Sequence, residues 1–425
     1  MIPATATSCC KNIISWIFAA AALFYFIMLP WMHHPTQRVA FIIFYSAFLL
    51  DFVINKRYKE ITFSKTSILY VCFIVYFLLV AASALFEQDP RHAGSIIEGR
   101  LSFLGIGIVG LLGGLNDKIK VNHFAYAGTI MSLICIIHVL NLMGWSVFWE
   151  NPTRFEIFND FRHHNINAHM GFNFYLLLSV ILTYCTAKKT GSYGKLDKAM
   201  TWFCSVSSIV LLWFVINSQG RIGMVLAILL ILFIVADVLK HKPVFLGSAA
   251  FIIVLAAVMV IINEPRFSAE SLTEQNPRLA IWELSWEKIC EKPVSGYGSS
   301  SAYCVLKDEF LTEQWKSRIN DGMIYDCLAQ DGWWAAHSHN HLLQSWLELG
   351  IPGLLVSLAI MLLPFFCLRR DKLFLTFCLA FLFIDLQLMT DVIDGSYSAK
   401  HFCFYYLMML SLQGDKRPLA NTSGQ

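Results

Sequence analysis

The stretch AHSHNHLLQSWLELGIPG, 336–353, sets His337, His339 and His341 at alternate positions just ahead of an apolar run. Imidazole titrates near neutral pH and also binds metals. Three readings suit the pattern. Alternate imidazoles on one face of an extended segment form part of a metal site, but no carboxylate or thiol at a familiar spacing completes one, so no metal is assigned. Polar residues also open helices, and Asn340 stands where it would cap one beginning at His341. The third reading is general base catalysis, in which one neutral imidazole takes the proton of an attacking hydroxyl.

Several arginines bear on that choice. Arg221, in INSQGRIGMVL (216–226), follows a turn of a few residues between two apolar runs. Arg278 lies in NPRLAIWELSWEKICEKP (276–293), which reads as an amphipathic helix. Asn276 is its expected cap, Pro277 suits the first turn and Pro293 stops it. Leu279, Trp282, Trp286 and Ile289 recur at helical spacing and are expected on the membrane or on other helices. A cation in a first turn opposes the helix dipole by roughly 0.3–1 kcal/mol, and a bound anion reverses that sign. Arg100, in IIEGRLSFLG, and Arg154, in NPTRFEIFND, occupy comparable outer positions. A planar guanidinium suits phosphate, although arginines at helix ends also snorkel toward headgroups. A base together with an anion clamp describes group transfer from a phosphate-activated donor.

The elements that position these residues follow from composition. Of 425 residues 57% are hydrophobic and 14% charged, too apolar a balance for an ordinary soluble domain. Twelve apolar runs of membrane-crossing length occur, at 12–31, 39–54, 67–86, 101–115, 123–143, 169–187, 200–216, 221–239, 243–263, 341–367, 373–390 and 401–413. The first lacks a cleavage signature and is read as a retained helix. With the N-terminus inside, 18 Lys and Arg fall on inner segments and 14 on outer ones, 7 of those 14 in the long segment 264–340. Long loops count little for orientation, so both termini are expected in the cytoplasm. Inside, 14 of the 18 are lysine; in the short outer loops six of seven are arginine. The expected fold is therefore an all-α polytopic membrane protein. Residues 1–263 form nine spans, 264–340 a large outer loop with amphipathic helices, and 341–425 three further spans and a tail. Cys290, Cys304 and Cys327 share that loop, and spacing alone does not choose a pair among them. No P-loop or dinucleotide glycine pattern occurs, which argues against an ATP-driven pump, and no nucleic-acid partner is expected. Glu348, Asp385 and His138 are intramembrane polar residues that either act or pair with a neighbouring helix, and none is placed on the catalytic list.

His339-Asn340, nine residues, then Gly350-Ile351-Pro352-Gly353 make an HN-x9-GxxG pattern. It follows SQGR (218–221), RLAIW (278–282) and PVSGYG (293–298), and in that order these landmarks resemble the O-antigen ligase/polymerase superfamily of bacterial envelope enzymes. The resemblance covers about 218–366 well. The first 200 residues agree only in hydropathy. It implies a glycosyltransferase at the periplasmic face of the inner membrane, free of metal and cofactor. The donor would be a glycan on undecaprenyl pyrophosphate and the acceptor lipid A–core oligosaccharide. By the same resemblance His339 would be the general base, with Arg221 and Arg278 holding the pyrophosphate. Arg154 and Arg100 would assist, and His337 would orient substrate or base. A polymerase of the same superfamily, a protein O-glycosyltransferase and a polytopic transporter of lipid-linked glycan stay open as alternatives.

Overall fold

The structure is a computed structural model that describes residues 4–31, 35–85, 90–145, 169–189, 194–218, 220–263, 277–319, 322–329, 332, 335–390 and 396–414. Each of the twelve apolar runs falls mainly within one helix. The first nine are α1 Ala4–Met28, α2 Pro35–Ile54, α3 Lys65–Ala84, α4 Pro90–Leu111, α5 Val121–Met143, α6 His169–Ala187, α7 Lys195–Asn217, α8 Arg221–Leu239 and α9 Pro243–Asn263. The segment 264–340 adds α10 Pro277–Glu291, α11 Ser301–Phe310, α12 Glu313–Ile319 and α13 Gly322–Ala329. The chain continues in α14 His341–Cys367, α15 Phe374–Leu388 and α16 Ser396–Gln413.

Among the described residues seven of these helices (α1, α3, α4, α5, α7, α8 and α14) are long and apolar enough to cross a membrane, and α6, α9 and α15 carry shorter apolar stretches. The protein is thus all-α and multi-pass. α8 exposes Val225, Leu229 and Val238, and α14 exposes Leu355, Leu362 and Phe366, as helices bathed in lipid do. α3 packs against both α4 and α14, and α16 lies on α4. Small residues permit the close approach: Gly110 of α4 sits against Tyr70 of α3, where a Cβ would come within 2.3 Å of the ring.

α4 begins eleven residues before the apolar run that announced it, so Arg100 lies inside the helix and not at its outer margin. A hydropathy window is blind to a charge that a neighbouring helix neutralises. The buried face of α10 is Ala280, Ile281, Leu284, Ser285 and Ile289, while Leu279 and Trp286 are exposed and Trp282 is half-buried. The ring of Trp286 lies 5.5 Å from that of Trp346 on α14. The expected cap Asn276 is outside the described residues. α10 to α13 enclose their own apolar cluster, including Ile281, Leu306, Phe310, Trp315 and Ile319, which Leu347 of α14 completes. Cys290 and Cys327 carry free thiols, the first exposed and the second half-buried.

α14 is broken at Gly350, whose φ of 67° and ψ of −156° are not helical. The break frees the carbonyls of Leu347 and Glu348, and the backbone N–H groups of Tyr297 and Gly298 fill them, each at 2.9 Å. Ile351 N–H in turn donates to Pro293 O at 3.1 Å, and Trp346 Nε1 reaches the same carbonyl at 2.9 Å. Pro352 falls in the first turn after the break, where its missing N–H costs nothing. PVSGYG is thereby plugged into the gap in α14. No side chain fits there: a Cβ on Gly350 would stand 2.0 Å from Val294 O, and one on Gly296, at φ 68°, 2.5 Å from Glu348 O.

Gly350→Ala is expected to destabilise the protein, by roughly 1–3 kcal/mol for the backbone conformation alone and more for the overlap. Gly247→Ala, with nothing within 4 Å of the new Cβ, is the control. Thermal unfolding of the detergent-purified variants checks this; equal midpoints would refute the account of the break.

Candidate active site

The histidine turn is built at the N-terminal end of α14 by its own side chains. Asn340 caps the helix, its Oδ1 accepting from Leu342 N–H at 3.0 Å and Leu343 N–H at 3.2 Å. Its Nδ2 donates to Met389 O at 3.3 Å, at the end of α15. Ser338 Oγ donates to Asn340 O at 2.8 Å. His339 N–H donates to His337 Nδ1 at 3.1 Å, so a neutral His337 carries its proton on Nε2. The segment is not extended, because His339 adopts φ 48°, a left-handed conformation rare for a residue with a Cβ.

This turn sorts the three imidazoles. His337 and His339 are half-buried with ring centroids 4.0 Å apart. His341 points the other way, fully buried with its ring 5.7 Å from that of Tyr76 on α3, and neither ring nitrogen has a hydrogen-bond partner. It packs within the helix start.

Beneath the turn runs a buried polar chain. Ser338 N–H donates to Gln344 Oε1 at 2.9 Å, and Gln344 Nε2 donates to Glu348 Oε1 at 2.9 Å. Both oxygens of Glu348 accept from Arg100 of α4, Nη1 to Oε2 at 2.5 Å and Nη2 to Oε1 at 2.8 Å. Arg100, Gln344 and Glu348 are each at most 1% exposed. The guanidinium lies 5.8 Å from the ring of Tyr76, whose hydroxyl meets Ser345 Oγ at 3.2 Å. Sequence reasoning left Gln344 and Glu348 out of the site. The available signal was the spacing of Asn340, Gln344 and Glu348, which puts all three on one helix face.

Arg221 is the first residue of α8 and is half-buried. The turn before it is pinned to α6: Asn173 Nδ2 donates to Ser218 Oγ at 2.7 Å, and Gly223 packs against the same asparagine. α8 touches α15, whose end holds Asn340. Arg278 is the second residue of α10 and is half-buried, and α10 packs on α14. The helices carrying both arginines therefore converge on those that hold the histidine turn. Arg154, with Arg162, His163 and His164, is outside the described residues. Asp385 is buried in α15 with Oδ1 unpartnered, and the ring of His138 packs 5.3 Å from Trp31.

Ion pairs brace the far side of α10. Lys288 lies between Glu309, at 2.7 Å, and Glu291, at 2.9 Å, which holds its ammonium above the usual range. Glu291 is held below the usual carboxylate range by the Tyr297 hydroxyl at 2.6 Å and by Lys288. Burial and Glu291 push the Tyr297 phenol up to about 12. Tyr297 belongs to the plug in α14, so the same residues anchor α10 to the break.

The family model described as O-antigen ligase matches residues 206–358, which include all the landmarks above. A Rickettsia conorii protein named "Putative polysaccharide ligase" is 30% identical over 128 residues, 28% of each chain. The chain thus spans less than a third of the length of that relative. Over residues 206–358, about a third of its length, this chain is thus similar to the O-antigen ligase family.

Proposed function

We propose that the protein is a glycosyltransferase that moves O-antigen polysaccharide from undecaprenyl pyrophosphate onto a hydroxyl of lipid A–core oligosaccharide, at the periplasmic face of the inner membrane. The observation that carries this reading is the histidine turn: an imidazole in a left-handed backbone, fixed at the capped N-terminus of a membrane-length helix inside the segment the family model matches. His339 takes the acceptor proton as the acceptor oxygen bonds to the anomeric carbon. The bond from that carbon to the pyrophosphate oxygen breaks, and its electron pair leaves with the pyrophosphate. Direct attack inverts the anomeric configuration. Arg221 and Arg278, each at a helix N-terminus, hold the leaving group, where the dipole and the guanidinium favour the same charge. Arg154 is proposed from the sequence alone to assist them, and His337 orients His339 through the bond to its N–H. Arg100, with both terminal nitrogens on Glu348, serves by holding the helix under the turn and not by touching the donor.

His339→Ala is tested in an O-antigen-producing strain lacking its own ligase. Transfer should fall by roughly 10²–10⁴-fold, the usual contribution of a general base, and long carrier-linked polymer should accumulate. Single repeat units in its place would identify a polymerase. Unchanged transfer at equal protein level would return the turn to a structural role.

Arg221→Lys and Arg278→Lys keep the charge and lose the fork. Each is expected to weaken inhibition of the reaction by free undecaprenyl pyrophosphate while the acceptor KM stays put. A shift in acceptor KM alone would move that arginine to the acceptor side.

A further inference from the structure

We propose that Gln344 and Glu348 are positioning residues for the base, a role that rests on the reading of His339 above. Glu348 receives both terminal nitrogens of Arg100, so it stands as a carboxylate and only accepts hydrogen bonds. That fixes the neighbouring amide. Gln344 must turn its NH2 toward Glu348 Oε1, and its carbonyl oxygen then faces outward, where it receives Ser338 N–H at 2.9 Å. A buried ion pair between α4 and α14 thus dictates which way an amide points one helical turn higher. The amide in turn holds the backbone of the residue before His339.

The chain holds that backbone where it is least at ease. His339 has φ 48°, and a glutamine carbonyl on one side and the Asn340 cap on the other over-determine the turn. Removing the Gln344 carbonyl leaves a buried Ser338 N–H without its acceptor and lets the turn relax toward ordinary backbone angles. The imidazole would then swing away from the acceptor hydroxyl, while the surfaces that bind the donor stay in place. Nothing in the chain touches substrate, so its effect appears in turnover and not in binding.

Gln344→Met is the chosen variant, since it keeps side-chain length and leaves the Arg100–Glu348 pair intact. Glu348→Gln is the second, since it offers the amide at 344 a donor and an acceptor alike. Purified full-length protein in nanodiscs is assayed with undecaprenyl-pyrophosphate-linked glycan and lipid A–core oligosaccharide. For Gln344→Met, kcat should fall roughly 10- to 100-fold, the scale of a slightly misplaced catalytic group. KM for the donor should stay within about twofold, and the low-pH limb of the kcat profile should move. In the double variant with His339→Ala, Gln344→Met should cost nothing further, because the group it positions is gone.

Two outcomes overturn the proposal while leaving the base reading intact. One is His339→Ala abolishing transfer while Gln344→Met keeps full kcat per folded molecule. The other is a loss from Gln344→Met that multiplies with that of His339→Ala. If His339→Ala itself retains full turnover, the base reading fails and the positioning role goes with it. Should Glu348→Gln not fold, Gln344→Met carries the test alone.

Discussion

A charge inside an apolar helix bundle has to be neutralised in place, and that constraint sets the register of the helices around the site. Arg100 lies ten residues along α4, about 15 Å from its start at 1.5 Å per residue. An arginine alone at such depth costs on the order of 2.5–3.5 kcal/mol on insertion scales. Glu348 answers it with both oxygens, and breaking such a buried pair typically costs about 3–5 kcal/mol. A two-pronged ion pair fits only one rotation of α4 against α14. α3 packs on both, and Tyr76 lies near the guanidinium and bonds to Ser345. The N-terminal end of α14, with its cap and its histidines, inherits this register.

The break at Gly350 is the second device on the same helix, and it makes one feature of two sequence landmarks. A helix interrupted inside an apolar protein exposes carbonyls that nothing in lipid would satisfy. PVSGYG supplies the missing donors, and the break supplies acceptors to a loop that would otherwise hold bare N–H groups. Each stretch contributes a glycine at positive φ, with no room for a Cβ on the other's backbone. Neither is stable in this geometry without its partner. Their joint presence in the sequence, 50 residues apart, therefore follows from backbone hydrogen bonding before any chemistry is considered.

The sequence shows the elements well and their pairings poorly. Each apolar run falls mainly within one helix, because a long apolar run in lipid has few other ways to satisfy its backbone. Asn340 was legible as a cap because capping is local. Arg100 was misplaced to the helix margin because its neutralising partner stands 248 residues away. Glu348 invited the question of a partner without naming it. On α10 the small residues Ala280 and Ser285 share the buried face with Ile281, Leu284 and Ile289, a contribution that periodicity arguments, which weigh large residues, do not register. Gln344 carried no signal of its own, since an amide in a helix is ordinary until the groups on either side of it are known.

The division of labour among the imidazoles follows from a single backbone angle. Were the 337–341 segment extended, as alternate histidines suggest, His337, His339 and His341 would share one face. Instead the left-handed residue at 339 turns the chain, sending His341 into the bundle against Tyr76 and leaving His337 and His339 together above it. A non-glycine residue in that region is strained, and the surroundings must hold it there. Ser338, Asn340 and Gln344 do so from below, and His337 does so from the side through the lone pair on Nδ1. An imidazolium has no such lone pair. Protonating His337 would remove one of the bonds that keep His339 in this backbone conformation.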